Sequence, residues 1–322
     1  MRHLFIALLL AVCFALSYAG ANDWPELHGP DGVRISQETD WSPEALKGKP
    51  EILWKAELGN GYSAVAIKDG LLYSLGYKDS KDTIVCLNAD TGKQVWTYSY
   101  KCGKGKRYPG PRTTPTVEDG KVYTLSRKGH LVCLDAKKGS LVWQRNIVSE
   151  MKAKIPHWGL ASSVRVHGNL AVISTGACGM AFNKDSGKTV WTNGGGQSPY
   201  STPVIYKKNG AYRCIIFAKD TVNSVLLKDG KKIWSYPWKT RHDVNAADPV
   251  LFGNYVFVSS GYNTGCVLLD VSNDKPKKVW QNRNMSNHFA SSVFINGYIY
   301  GISGNTSGGK LTCINAETGK TM

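Results

Sequence analysis

The chain has 322 residues, 42% of them apolar and 11% aromatic, with 40 Lys and Arg against 24 Asp and Glu. That length exceeds one ordinary core, yet no Pro- or Ser-rich linker or composition shift divides it after residue 52, and no long stretch carries helical spacing. The net charge of +16 raises the question of a nucleic-acid partner, which the export signal at the N-terminus argues against.

Residues 1–21 read as a signal peptide. Met1-Arg2-His3 is a basic start, Leu4 to Leu16 is an apolar run shorter than the roughly 20 residues a spanning helix needs, and Ala19-Gly20-Ala21 fits a small-residue cleavage site. Cleavage after Ala21 predicts a periplasmic or secreted protein with no transmembrane segment. Val12 stands where a small residue should precede a lipidated Cys13, so a lipoprotein is not expected. The mature chain keeps seven cysteines and a charge of +15, from 39 basic minus 24 acidic residues. Residues 22–51 form an N-terminal extension, and 52–322 the folded domain.

From residue 52 onward the chain repeats. Trp54, Trp96, Trp143, Trp191, Trp234 and Trp280 recur at intervals of 42, 47, 48, 43 and 46 residues. Four of them close related phrases, CLNADTGKQVW, CLDAKKGSLVW, AFNKDSGKTVW and VLLKDGKKIW, with Gly92, Gly139, Gly187 and Gly230 four residues ahead of the Trp. A period in the forties built from short β-type runs and Gly turns predicts propeller blades of four antiparallel strands, an all-β fold. In the first repeat the strands are expected at Ser63 to Ile67, Leu71 to Leu75, Thr83 to Leu87 and Gln94 to Tyr98. Later second strands read KVYTL, LAVIS, CIIFA, YVFVS and YIYGI, with the alternation of half-buried strands. Each Trp is expected to cover a neighbouring blade. Cys86, Cys133 and Cys313 share one repeat position inside apolar runs, so each is expected as a buried core residue, too far from its equivalents to form a disulfide.

The pattern of an apolar third strand, Asp or Asn, two residues, Thr-Gly-Lys, two residues and Trp resembles the repeat named after pyrroloquinoline quinone (PQQ) enzymes. Quinoprotein dehydrogenases and BamB-type outer-membrane assembly lipoproteins share it. WPELHGPDG (24–32), GPRTTPTVEDGKVYTL (110–125), HWGLASSV (157–164), SGYNTGCVLLD and NHFASSVFINGYIYG extend the likeness to exported bacterial PQQ-like propellers. The resemblance implies about eight blades, whereas six inner-strand segments are countable: YSAV, RTTP, ASSV, YSTP, AADP and ASSV. Four residues after Gly319 a Trp would fall at 323, beyond Met322, so the chain reads as a C-terminally truncated eight-bladed ring. The alternative is closure by Ile52 to Leu58 as the outer strand of the sixth blade, paired with Leu311 to Asn315.

Propeller ligands bind where inner strands converge, and there the sequence puts hydroxyls: Ser63, Thr113, Thr114, Ser162, Ser163, Ser201, Thr202, Ser291 and Ser292. As repeat residues these also suit the capping of inner-strand backbone. The candidate ligand-binding residues of this axial mouth are Arg112, His157, Trp158, Tyr200, His242, Asp248 and His288, with Tyr62 beside them. The quinoprotein likeness implies calcium held by Glu, Asn and Asp, an Asp base, and a disulfide between adjacent cysteines. No Cys-Cys pair exists, and Asp243, Asn245 and Asp248 make only a weak calcium set without a Glu. The loop with Lys101, Lys104, Lys106 and Arg107 suits an anionic polymer. GNTSGGK (304–310) fails as a phosphate loop because Leu311 replaces the required Ser or Thr. The sequence therefore reads as an exported non-catalytic propeller, a binding or assembly scaffold of the bacterial envelope with no cofactor and an envelope protein or anionic polymer as partner. The alternatives are a quinoprotein-like oxidoreductase using PQQ and calcium, and a polysaccharide-binding module.

Overall fold

Alternating apolar residues and tight Gly turns fold this chain into six consecutive antiparallel units. The structure, a computed structural model, describes residues 23–39, 41–105, 108–305 and 308–322. The expected signal peptide therefore lies outside the described residues, as do Lys106 and Arg107 of the basic loop.

Blade one comprises β1 (Ala66–Lys68), β2 (Leu71–Lys78), β3 (Lys81–Asn88) and β4 (Gln94–Lys101). Blade two comprises β5 (Thr116–Glu118), β6 (Lys121–Leu125), β7 (His130–Asp135) and β8 (Leu141–Asn146). A single-turn helix α1 (Ile147–Met151) and the short β9 (Ala153–Lys154) lead to blade three, β10 (Arg165–His167), β11 (Leu170–Ile173), β12 (Met180–Asn183) and β13 (Thr189–Thr192). After β14 (Gly196–Gln197), which pairs in parallel with β9, blade four is β15 (Val204–Lys208), β16 (Ala211–Phe217), β17 (Thr221–Leu226) and β18 (Lys232–Pro237). Blade five is β19 (Val250–Phe252), β20 (Tyr255–Ser260), β21 (Gly265–Asp270) and β22 (Lys277–Asn282). Blade six has three strands, β23 (Val293–Ile295), β24 (Tyr298–Asn305) and β25 (Gly308–Asn315), and beyond them only an Ile314–Thr321 bridge.

Each core cluster lies between two successive blades. Val122 and Val132 of blade two pack on Ile84 and Cys86 of blade one. Equivalent clusters join blades two and three, three and four, four and five, and five and six. Among the described residues no such cluster joins blade six to blade one, so the six units form an arc. Ile52 to Leu58 does not close it. That segment forms no strand and pairs with nothing on β25, whose Leu311 is 75% exposed. Cys313, expected in a core, is correspondingly only part-buried, whereas Cys86 and Cys133 are fully buried.

The Trp repeat has a specific mechanical basis. Trp96 lies over Gly139 of the next blade and its indole Nε1 donates to Ala136 O at 2.9 Å. Trp143 does the same over Gly187 to Lys184 O at 2.8 Å, Trp191 over Gly230 to Leu227 O at 2.7 Å, and Trp280 over Gly319 to Ala316 O at 2.9 Å. Gly139 has φ +67°, and a Cβ there would sit 2.5 Å from the Trp96 ring, so both backbone and packing require glycine. Trp54 docks identically over Gly92, donating to Ala89 O at 3.0 Å. Trp234 is the exception: its Nε1 has no partner, because blade five carries SNDKPKK in place of the Gly turn and the equivalent carbonyl, Val271 O, accepts from the Lys208 ammonium instead. Trp96, Trp143, Trp191 and Trp234 are buried, whereas Trp280, expected to be as well covered, is part-exposed beside the incomplete sixth blade.

Candidate functional site

The inner strands begin on one face of the arc, and in blades two to six the residue two positions ahead of the inner strand joins a hydrogen-bonded relay. Thr114 N donates to Ser163 Oγ at 2.9 Å, Ser163 N to Thr202 Oγ1 at 3.1 Å, Thr202 N to Asp248 Oδ1 at 2.5 Å, and Asp248 N to Ser291 Oγ at 2.8 Å. A second layer points back into its own blade: Thr113 Oγ1 donates to Leu125 O and Ser201 Oγ to Phe217 O. Thr113, Ser162, Ser163, Ser201, Thr202 and Ser291, among the hydroxyls expected at the mouth, therefore satisfy backbone groups that converging strands leave unpaired, whereas Ser63 does not. Asp248 occupies one of these hydroxyl positions.

Its second oxygen faces the N-terminal segment. Trp24 pairs with Ile67 at the end of β1, and Pro25 O accepts from Val117 N of β5 at 2.8 Å. Glu26 forms an ion pair with Arg165 at the start of β10, and His28 Nε2 donates to Asp248 Oδ2 at 2.7 Å. Residues 24–34 thus run through the centre of the arc from blade one to blade five. Two turns compact the segment, Gly29 N to Glu26 O and Gly32 N to Gly29 O, and Arg34 N closes it onto His28 O. The Trp24 ring lies on Gly29.

The buried charges form a balanced group. Arg165 Nη1 lies 3.2 Å from His28 Nδ1 and donates to it, which assigns the proton of a neutral ring to Nε2. Arg34 Nη2 lies 2.9 Å from His28 Nε2 and 3.6 Å from the Asp248 carboxylate. Burial and the Arg34 charge lower the His28 pKa below its usual value, outweighing the attraction of Asp248. Burial opposes ionisation of Asp248, but hydrogen bonds from His28 and Thr202 and the Arg34 charge hold its pKa below the usual carboxylate value. Two arginines, two carboxylates and a neutral imidazole sum to zero charge, the arrangement a buried cluster needs.

The weak calcium set does not fit a cation. Both Asp248 oxygens are bonded as described. Asn245 is fully buried, its Nδ2 donating to Ala218 O and Lys219 O and its Oδ1 accepting from Ser260 Oγ. Asp243 pairs with Lys219 at 3.2 Å. Among the described residues no group of three His, Cys, Asp or Glu side chains converges for a metal.

Above this floor the remaining candidates line up. The Arg112 guanidinium lies 5.3 Å from the Tyr62 ring centre and donates to Gly110 O and Tyr108 O. Tyr62 meets Tyr108 edge-on at 6.2 Å, Tyr108 meets Trp158 at 5.7 Å, and Trp158 meets His157 edge-on at 4.5 Å. Trp158 N donates to Tyr200 OH at 3.4 Å. Burial raises the Tyr200 pKa, with Asp243 and Tyr262 adding to the effect across the mouth. Tyr262 bridges His242, at 5.1 Å, and His288, at 4.9 Å, and His288 stacks on Phe289 at 3.8 Å. Arg112, His157, Trp158 and Tyr200 thus form one group, His242 and His288 another around Tyr262, and Asp248 lies beneath, facing His28. Sequence reasoning did not select Tyr108, Tyr262 and Phe289, which lie on connecting loops, or Arg127 below them, whose Nη1 holds Lys104 O at 2.8 Å and Tyr108 O at 3.0 Å. It also missed His28, Arg34 and Arg165. Tyr62, Tyr108 and His157 are exposed and Trp158 is part-exposed, so this group forms an open platform, while a groove of about 660 Å³ lies between 55–60 and the flank of blade one.

This Trp-and-Gly blade architecture agrees with the comparison to known families: the profile described as outer membrane protein assembly factor BamB, a PQQ repeat family, matches residues 81–322. The chain belongs to this BamB-like PQQ-repeat family. Relatives within reach of it include 1-butanol dehydrogenase (cytochrome c) of Thauera butanivorans, 30% identical over 152 residues, 44% of this chain and 21% of that protein. BamB of Escherichia coli K12 is 30% identical over 110 residues, 31% of this chain and 27% of that protein. The chain thus matches about a quarter of the length of these relatives. Among solved structures, BamB from Moraxella catarrhalis superposes with a TM-score of 0.59 at 15% identity, over 80% of this chain and 74% of that one, a likeness of fold. No helix among the described residues is long and apolar enough to cross a membrane.

Proposed function

We propose that this BamB-like propeller is an exported, non-catalytic scaffold of the bacterial envelope that binds partners through its axial mouth. One observation carries the reading: the centre of the arc holds the chain's own Trp24–Arg34 segment, whose His28 bonds Asp248, the acid among the inner-strand starts, and Asp248 also accepts from Thr202 N. A quinoprotein reading draws on the likeness to 1-butanol dehydrogenase, yet it needs free carboxylate and amide oxygens for calcium, and Asn245 and Asp248 direct theirs to protein partners while Asp243 pairs one oxygen with Lys219. The name of the E. coli relative, an outer-membrane assembly factor, supports an envelope role for the same architecture. The test is reconstitution of the mature chain with PQQ and calcium, followed by dye reduction with primary alcohols, alongside crosslinking and recovery from envelope fractions. The scaffold reading expects no dye reduction and recovery of envelope components. Alcohol-dependent dye reduction that is lost in Asp248→Asn would replace it with the oxidoreductase.

A further inference from the structure

The mouth platform combines three features that one class of ligand satisfies together. The first is aromatic surface. Tyr62, Tyr108 and Phe289 are 56%, 55% and 62% exposed, and Trp158 and Tyr262 are part-exposed. Tyr62, Tyr108, Trp158 and Tyr262 meet their aromatic neighbours edge-on or tilted, while Arg112 lies over one face of Tyr62 and His288 over one face of Phe289. The second is unsatisfied polarity. Arg127 is 4% exposed and His288 6% exposed, yet Arg127 Nε and His288 Nδ1 have no protein partner, and neither has Ser63 Oγ beside Tyr62. Arg127 Nε lies next to Gly159, directly after Trp158, and His288 packs against Gly261, directly before Tyr262, so both orphan groups sit under the aromatic chain. Buried polar atoms of this kind are rare unless a ligand or water completes them. The third is charge: Arg112 lies on the platform and Arg127 beneath it, facing the buried Asp82, and Asp243 is already paired with Lys219.

We infer that the mouth is a binding site for an acidic polysaccharide, a chain of pyranose rings bearing carboxylates. This rests on the non-catalytic reading above and names its ligand class. A sugar ring offers an apolar C–H face to stack on Trp158 and Tyr62, and a carboxylate to meet the outward donors of Arg112, while Arg127 Nε, His288 Nδ1 and Ser63 Oγ lie just beneath that surface. Arg112 is pre-oriented by its bonds to Gly110 O and Tyr108 O, so little is lost in ordering it. A flat apolar partner would cover the Arg112 guanidinium without pairing it, and an acidic peptide would leave the aromatic faces without matching rings.

The experiment titrates the mature chain with hexagalacturonate, with neutral cellohexaose, and with poly-glutamate, read by tryptophan fluorescence and calorimetry. Hexagalacturonate is expected to bind saturably, at least about tenfold more tightly than cellohexaose and more weakly at high salt. Trp158→Ala and, independently, the exposed Tyr62→Ala are expected to weaken it about tenfold, and Arg112→Gln to reduce the preference for uronate over neutral sugar. No saturable uronate binding, equal affinity for the neutral glycan, tighter binding of poly-glutamate, or intact binding in both aromatic variants would overturn the inference. Dye reduction with PQQ would sink the non-catalytic reading whatever the glycan result, so the two failures are separable.

Discussion

Trp143 shows how much of this molecule rests on single side chains. Its indole covers Gly187 and donates to Lys184 O, joining blade two to blade three. Trp143→Ala is expected to cost about 3–5 kcal/mol, as large aromatic truncations in cores do, measured by denaturant unfolding. A change well under 1 kcal/mol would contradict the docking role. Trp234 gives an internal control, because it is equally buried but has no acceptor. Trp143→Phe should therefore destabilise more than Trp234→Phe, by about 1 kcal/mol for the lost hydrogen bond. The periodic tryptophans were legible in the sequence because period and Gly turn recur together. The capture of the Val271 carbonyl by Lys208 was not, since it depends on a lysine 63 residues away in another blade.

At the scale of elements, the strands follow from local alternation and turn chemistry, and the sequence places them close to where they form. The exceptions are contacts without a repeat. Residues 24–34 read as an extension, yet His28 meets Asp248 across 220 residues of chain. No periodicity announces such a pairing; only the density of Trp, Pro, His and Gly in WPELHGPDG hints at a built segment. The pairing has a pH signature. The folded His28 pKa lies below its unfolded value near 6.5, so as pH falls through 6.5 the unfolded or undocked state takes up a proton first. Stability of the docked segment is full above about pH 6.5 and declines below it. Asp248, also lowered, adds a further loss below its unfolded value near 3.8. His130, His167 and His288 are lowered by burial too and contribute to the global slope. The local readout is therefore the protection factor of the Trp24 and Arg34 amides, with the intrinsic slowing of exchange in acid divided out, which should fall below pH 6.5 in the wild type and lose most of that dependence in His28→Asn.

The whole molecule is an arc of six units around an axis occupied by its own N-terminal segment. This arrangement separates a charge-balanced centre, in which Glu26, His28 and Asp248 are buried, from an open platform above it. The platform was partly legible because Arg112, His157, Trp158, Tyr200, His242 and His288 all lie just ahead of inner strands or on the loops beside them. Tyr108 and Tyr262 were not, because loops carry no pattern that fixes where they return. Asp248 was placed at the right end of the right strand, but its partner could not be read. The most direct test is hydrogen–deuterium exchange of the Trp24–Arg34 peptide in the mature chain at pH 7.5, with and without PQQ and calcium. A segment built into the axis should be protected nearly as well as the inner strands, and unchanged by the cofactor. Exchange of its hydrogen-bonded amides within seconds, or loss of protection when PQQ and calcium are added, would contradict the occupied axis and the scaffold function proposed from it.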